Sequence, residues 1–190
     1  AKMELVESLA NENFKIYRMT RTGLASLSTD YHLAKGQLAS STFLQMALNP
    51  HIVHVLGFPE ADHAATADEI IESCKIARGV IENALLGLPN FIDDKIIERK
   101  EKIKSEVKYL LGEIYKLDDG TERALLKPET IVEALARGYL DAPQLKGKKC
   151  VPGKDVTRII DGACVSVDPD SGEVISEKER INRIKSIFER

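Results

Sequence analysis

Residues 51–86 read HIVHVLGFPEADHAATADEIIESCKIARGVIENALL, and the fold turns on how this stretch divides. Its opening, Ile52 to Phe58, is a short apolar run led by β-branched Ile52 and Val53 and has no helical period. That pattern predicts a strand buried on both faces, as in a parallel sheet. Gly57 and Pro59 punctuate the run. From Thr66 the period changes, with Ile70, Ile71, Cys74, Ala77, Ile81, Ala84, Leu85 and Leu88 at helical spacing on one face. Thr66 with Glu69 fits a capping box, and Gly87-Leu88-Pro89 is a stop signal. Strand, polar loop and amphipathic helix make one βα unit. In such units the loop leaving the C-terminal end of the strand is where ligands bind. Here that loop is Gly57 to Thr66, and it holds Glu60, Asp62 and His63.

Toward the N-terminus, Lys2 to Asn11 reads as a short helix and Phe14 to Met19 as a strand. Thr20 to Asp30 is a polar loop containing Gly23, Ser26 and Ser28, a second loop able to face a ligand. Tyr31 to Leu48 is expected to be a helix with Leu33, Leu38, Phe43, Leu44, Ala47 and Leu48 as its apolar positions, ended by Asn49-Pro50. The order α-β-α-β-α argues for parallel strands joined by crossover helices. Two strands make no stable sheet alone, so a partner chain or a further segment is expected to complete it. The chain begins at Ala1, inside a helical pattern and without an initiator Met, as a piece of a longer protein would.

Beyond Pro89, Phe91 to Leu117 is expected to be a long helix, with Ile92, Ile96, Ile103, Val107, Leu110, Ile114 and Leu117 as its apolar stripe and a solvated face rich in Lys and Glu. Asp118-Asp119-Gly120 is a turn, Glu129 to Gly138 a helix, and Gln144 to Lys149 a linker rich in lysine. Ala163 to Val167 and Glu173 to Ile175 flank Asp168-Pro169-Asp170-Ser171-Gly172, which reads as a β-hairpin. Glu177 to Arg190 is a charged terminal helix.

Composition narrows the function classes. The 190 residues are 43% hydrophobic, enough for a real core, and net charge is only −3, which argues against a nucleic-acid surface. No apolar run approaches the ~18 residues of a membrane span, and no signal peptide opens the chain. Three cysteines without a C-x-x-C pair fit reduced thiols in the cytoplasm. Cys74 and Cys164 are expected to pack, and His54 to be a hydrogen-bonded core histidine. His51 and His54 have no third ligand at useful spacing, so no metal is expected. Asp30-Tyr31-His32 approaches the D-x-H-x-x-G pattern of cobalamin-binding domains, but Gly36 falls one residue late and Asp30 reads as the N-cap of the following helix. The carboxylates Glu60 and Asp62 could hold sugar hydroxyls, a metal or an ammonium group. The same acids also suit the dipole at the N-terminus of the next helix, and both readings stand.

The phrases LASSTFLQMALNPHIVHVLGFPEA, TADEIIESCKIARGVIENALLGLPN, DDGTERALLKPETIVEALARGYLDAP and KCVPGKDVTRIIDGACVSVDPDSGEVISEKERI, taken in order, resemble the C-terminal part of the epsilon subunit of glutamate mutase (methylaspartate mutase). The resemblance runs from about Leu5 to Ile181. It implies an adenosylcobalamin-dependent isomerase of α/β class. Residues 1–89 would form the last βα units of a (β/α)8 TIM-type barrel, and residues 90–190 a mainly helical C-terminal lobe with its β-hairpin near 163–175. The cofactor would lie at the interface with a separate cobalamin-binding small subunit, and the remaining barrel segments would be further partners in an oligomer. Gly57, Glu60, Asp62 and His63 would be the cofactor-facing residues. In the family a Lys after this strand and a Glu four residues later hold the ribose of the adenosyl group. The aligned positions here are Gly57 and Ala61; Glu60 or Asp62 could supply the carboxylate, and nothing nearby supplies the Lys. A non-catalytic piece that completes the barrel of another chain is the alternative.

Overall fold

Met19 pairs with Ile52, Thr20 with Val53 and Arg21 with His54, in parallel, and this short ladder organises the N-terminal half. The computed structural model describes residues 1–24 and 27–188. They fall into two compact units, Lys2–Asp94 and Lys95–Arg190. The first contains α1 (Lys2–Glu7), β1 (Met19–Arg21), α2 (Tyr31–Met46), β2 (Ile52–His54) and α3 (Ala67–Leu86). The expected order and parallel pairing are therefore present, but β1 is displaced from the strand expected over Phe14 to Met19: only Met19 of that stretch is in it, and Thr20 and Arg21 come from the expected loop. One side chain extends the ladder: the backbone N–H of Arg18 donates to His51 Nδ1 at 3.0 Å. Of the loop after β1, Ala25 and Ser26 lie outside the described residues.

The buried strand over Ile52 to Phe58 is a correction. β2 is three residues long, Ile52 is 50% exposed, and His54, expected in the core, is exposed. The apolar run buries its far end instead. Leu56 and Phe58 are inside, on a turn of 3₁₀ helix over Phe58–Ala61. Phe58 packs with Ala34 and Leu38 of α2, flanked by Val55 and Ile76. Leu38 and Phe58 are each 1% exposed, and burying such side chains contributes roughly 1.5–3 kcal/mol apiece.

The seam between α2 and α3 also departs from expectation. α3 buries Ser73, Ala77 and Ala84, and α2 buries Ala34, Leu38 and Thr42. The large residues Leu33, Leu44, Ile70, Ile71 and Leu85 are exposed, as is Cys74. Small side chains let the two helix backbones approach, and the polar ones satisfy themselves locally. Thr42 Oγ1 donates to the Leu38 carbonyl at 2.8 Å, and Ser73 Oγ to that of Glu69 at 2.7 Å.

The second unit comprises α4 (Asp94–Tyr115, its first residue outside the unit), α5 (Pro128–Arg137), β3 (Thr157–Ile160), β4 (Ala163–Ser166) and α6 (Glu177–Phe188). Its core joins Ile114, Ala134, Tyr139 and Ile181. Gly138, at φ 87°, ends α5 in the left-handed conformation that glycine allows. The hairpin is not the one expected. β4 pairs antiparallel with β3 across Asp161-Gly162, both at positive φ, the geometry an Asp-Gly hairpin turn requires. The expected pairing survives as one bridge, Val167 with Val174, beside a turn in which Asp168 Oδ1 accepts from the N–H groups of Asp170 and Ser171. Cys164, expected to pack, is exposed. Glu189 and Arg190, the end of the expected terminal helix, lie outside the described residues.

Candidate functional site

Because β1 and β2 are parallel, the loops that follow them leave from the same edge of the pair. There the loop after β2 meets the start of α2. Tyr31, the first residue of α2, sets its ring edge-on to Phe58 at 5.3 Å and tilted to His63 at 6.1 Å. Asp30 caps the helix: its Oδ1 accepts from the Leu33 N–H at 2.9 Å. That carboxylate serves its own backbone, and His32 is exposed, so the pair does not form the imidazole-orienting couple of a cobalt ligand.

The loop closes on itself through Glu60, whose Oε1 accepts from the Gly57 N–H at 2.6 Å. The next amide, Phe58 N–H, donates to Ser73 Oγ at 3.0 Å, tying the turn to α3. No side chain fits at position 57. A Cβ there would lie 2.7 Å from Ala65 Cβ, 3.0 Å from Glu60 Oε1 and 3.1 Å from Ile70 Cδ1.

His63 bridges two carboxylates. Nδ1 lies 3.1 Å from Asp62 Oδ2, and Nε2 lies 3.3 Å from Glu69 Oε2. Only the imidazolium donates at both nitrogens, so the hydrogen bond to Asp62 first, and then that to Glu69, hold the His63 pKa above the usual value. Glu69 is the hub. Oε2 accepts from the N–H and the hydroxyl of Thr66, both at 2.8 Å, while the Thr66 hydroxyl accepts from the Glu69 N–H at 3.4 Å. Those bonds to Thr66 dominate in holding the Glu69 pKa down at about 2. Tyr31 shifts the opposite way: desolvation, then the charges of Glu69 and Asp62, raise its pKa. Lys35 lies 4.6 Å from the centre of the Phe58 ring and pairs with Glu72 at 2.6 Å.

Of the four residues expected to face a ligand, Asp62 and His63 come together, and Gly57 and Glu60 close the turn beneath them. Glu69, expected only as a cap, and Tyr31 complete the cluster. Glu69 was visible in the capping-box spacing, while nothing in the local sequence pointed to Tyr31. Gly57 has no room for a side chain such as the family's Lys, and Glu60 Oε1 is engaged by the Gly57 N–H. Among the described residues no three His, Cys, Asp or Glu side chains gather as a metal site would need. Among the described residues no helix is long and apolar enough to cross a membrane. No protein-family model matches the chain, and no curated protein matches it either.

Proposed function

We propose that this chain supplies part of the wall of a (β/α)8 barrel in an adenosylcobalamin-dependent carbon-skeleton mutase of the glutamate mutase kind. Its partners are the remaining barrel segments and a cobalamin-binding small subunit. The parallel pairing of β1 with β2 through the crossover helix α2 carries the reading, together with the resemblance in sequence. Two strands are too few for an independent sheet. The register partners Met19 and Ile52 are 61% and 50% exposed, apolar strand surface that a neighbouring element would cover. In such an enzyme the cofactor carries the radical chemistry, and the protein shapes and dries the mouth of the barrel. The exposed free thiols Cys74, Cys150 and Cys164 suit a cytoplasmic setting.

The crowding at Gly57 and the engagement of Glu60 favour a second reading, in which the chain completes the barrel of another polypeptide without touching the cofactor. The test is a spectrophotometric titration of the assembled complex, with and without this chain, using adenosylcobalamin and methylcobalamin. The first reading expects saturable binding of adenosylcobalamin only when this chain is present. It also expects replacing both Glu60 and Asp62 by Ala to weaken adenosylcobalamin at least ~10-fold and to spare methylcobalamin, which lacks the ribose. Equal effects on the two cobalamins, or none, support the second reading. Cofactor binding that needs no part of this chain overturns the mutase proposal.

A further inference from the structure

Glu60 closes the turn after β2, and the Thr66–Glu69 pair caps α3, but the segment between them has little to hold it. The N–H groups of Asp62 and His63 both donate to the Pro59 carbonyl, at 2.8 and 3.0 Å. After them Ala64 and Ala65 make no backbone hydrogen bond among the described residues. The polar tie across this gap is the His63 ring. It lies between Asp62, 3.1 Å from Nδ1, and Glu69 in the first turn of α3, 3.3 Å from Nε2. A neutral imidazole carries one N–H, so it donates to one of these carboxylates and turns a lone pair toward the other.

We propose that His63 is a proton-operated clasp: the imidazolium straps residues 61–65 to the first turn of α3, and the neutral ring releases Glu69 and lets the strap swing away. Which bond is lost follows from the partners. Asp62 is the nearer acceptor, and among the described residues His63 is the one donor to its carboxylate. Glu69 Oε2 already accepts the N–H and the hydroxyl of Thr66, so the retained proton stays on Nδ1. Those Thr66 bonds hold the Glu69 pKa down at about 2, and the Nε2 lone pair of the neutral ring then faces a fixed negative charge. The other groups around the ring do not take over the tie. On α2, the Tyr31 phenol has a raised pKa and stays neutral, and Lys35 is paired with Glu72 of α3. On the loop, Glu60 accepts from the Gly57 N–H. Histidine is the side chain that ordinarily changes charge between about pH 5 and 8, and the bonds to Asp62 and Glu69 move that change upward. The clasp is shut at acid pH and opens as pH rises through the raised value. It lies within this chain and needs neither cofactor nor partner.

The experiment is an NMR titration of the full chain from about pH 5 to about pH 9, reading the His63 ring nitrogens by long-range proton–nitrogen correlation and the backbone by nitrogen relaxation. Order parameters at Ala64 and Ala65 should fall from roughly 0.85 to below about 0.6 in step with the His63 titration, while Phe58 stays rigid. The neutral ring should carry its proton on Nδ1. His63→Gln takes no charge, and should be loose at Ala64 and Ala65 at every pH. Unchanged order at Ala64 and Ala65 while His63 titrates, a neutral ring protonated on Nε2, or a pH-dependent loosening that persists in His63→Gln would each overturn the proposal.

Discussion

One methyl group added at position 57 meets three neighbours at once. The nearest, Ala65 Cβ at 2.7 Å, is about an ångström inside the favourable carbon–carbon separation of roughly 3.5–4.0 Å. Backbone conformation is no obstacle, since Gly57 has φ −62° and ψ 128°, which any L-residue adopts. Replacing this glycine by alanine therefore gains about 0.4–1 kcal/mol from the unfolded chain. Against that stands an overpacking cost of about 1–3 kcal/mol. The new Cβ also crowds Glu60 Oε1, whose hydrogen bond to the Gly57 N–H is of the charge-assisted class that contributes about 1.5–3 kcal/mol. Gly57→Ala should destabilise residues 2–94 by roughly 1–3 kcal/mol net. Gly36→Ala, inside α2, is the matched comparison. A Cβ there meets nothing within 4 Å, so the substitution should stabilise by about 0.5–1 kcal/mol. The two units need not melt together, so urea unfolding followed by ellipticity is read alongside hydrogen exchange at the amides of Phe58 and His63. Gly57→Ala at or above wild-type stability, with exchange at those amides unchanged, would refute the account of a closed loop.

Three further outcomes are expected. Ser73→Ala strips the buried Phe58 N–H of its acceptor and should cost about 1–3 kcal/mol by urea midpoint; a neutral result would mean the amide finds another partner. Leu38→Ala, at a site 1% exposed, should cost about 2–5 kcal/mol, and a loss below that range would place Leu38 outside the core. His63 has a folded pKa raised above its ordinary value, so its contribution is full below that value and is lost as pH rises through the raised one. NMR titration should find the His63 pKa raised, and Asp62→Asn should lower it; an unmoved value would break the proposed bridge.

Much of the N-terminal half could be read from its punctuation. Asp30 and Thr66 begin α2 and α3 as capping chemistry requires, and Gly87 ends α3. The buried faces of those helices could not be read, because periodicity weighs hydrophobic size. Leu33, Leu44, Ile70 and Leu85 outweigh Ala34, Thr42, Ser73 and Ala77 on any such scale, yet close helix approach selects the small residues. Two turns competed for the hairpin. Asp168–Gly172 is denser in turn residues, but Asp161-Gly162 has the two consecutive positive φ angles that join strands, and conformation decided. In the site, Glu60, Asp62 and His63 were legible as neighbours along one loop. Tyr31 reaches them only because the strands are parallel, a relation of topology that no local window contains.

The β1–β2 ladder also has a consequence for synthesis. Met19 cannot find its register partner until Ile52 has been made, and the separation between them is 33 residues. At about 5–20 residues per second, each newly made β1 waits roughly two to seven seconds with its partner strand missing. Through that interval Phe14, Tyr17 and Met19, which stay 46–68% exposed even in the finished fold, lie along an unpaired stretch of nascent chain. Slowing translation between Asn49 and His54 should lengthen that window, and capture by a ribosome-associated chaperone should rise in proportion.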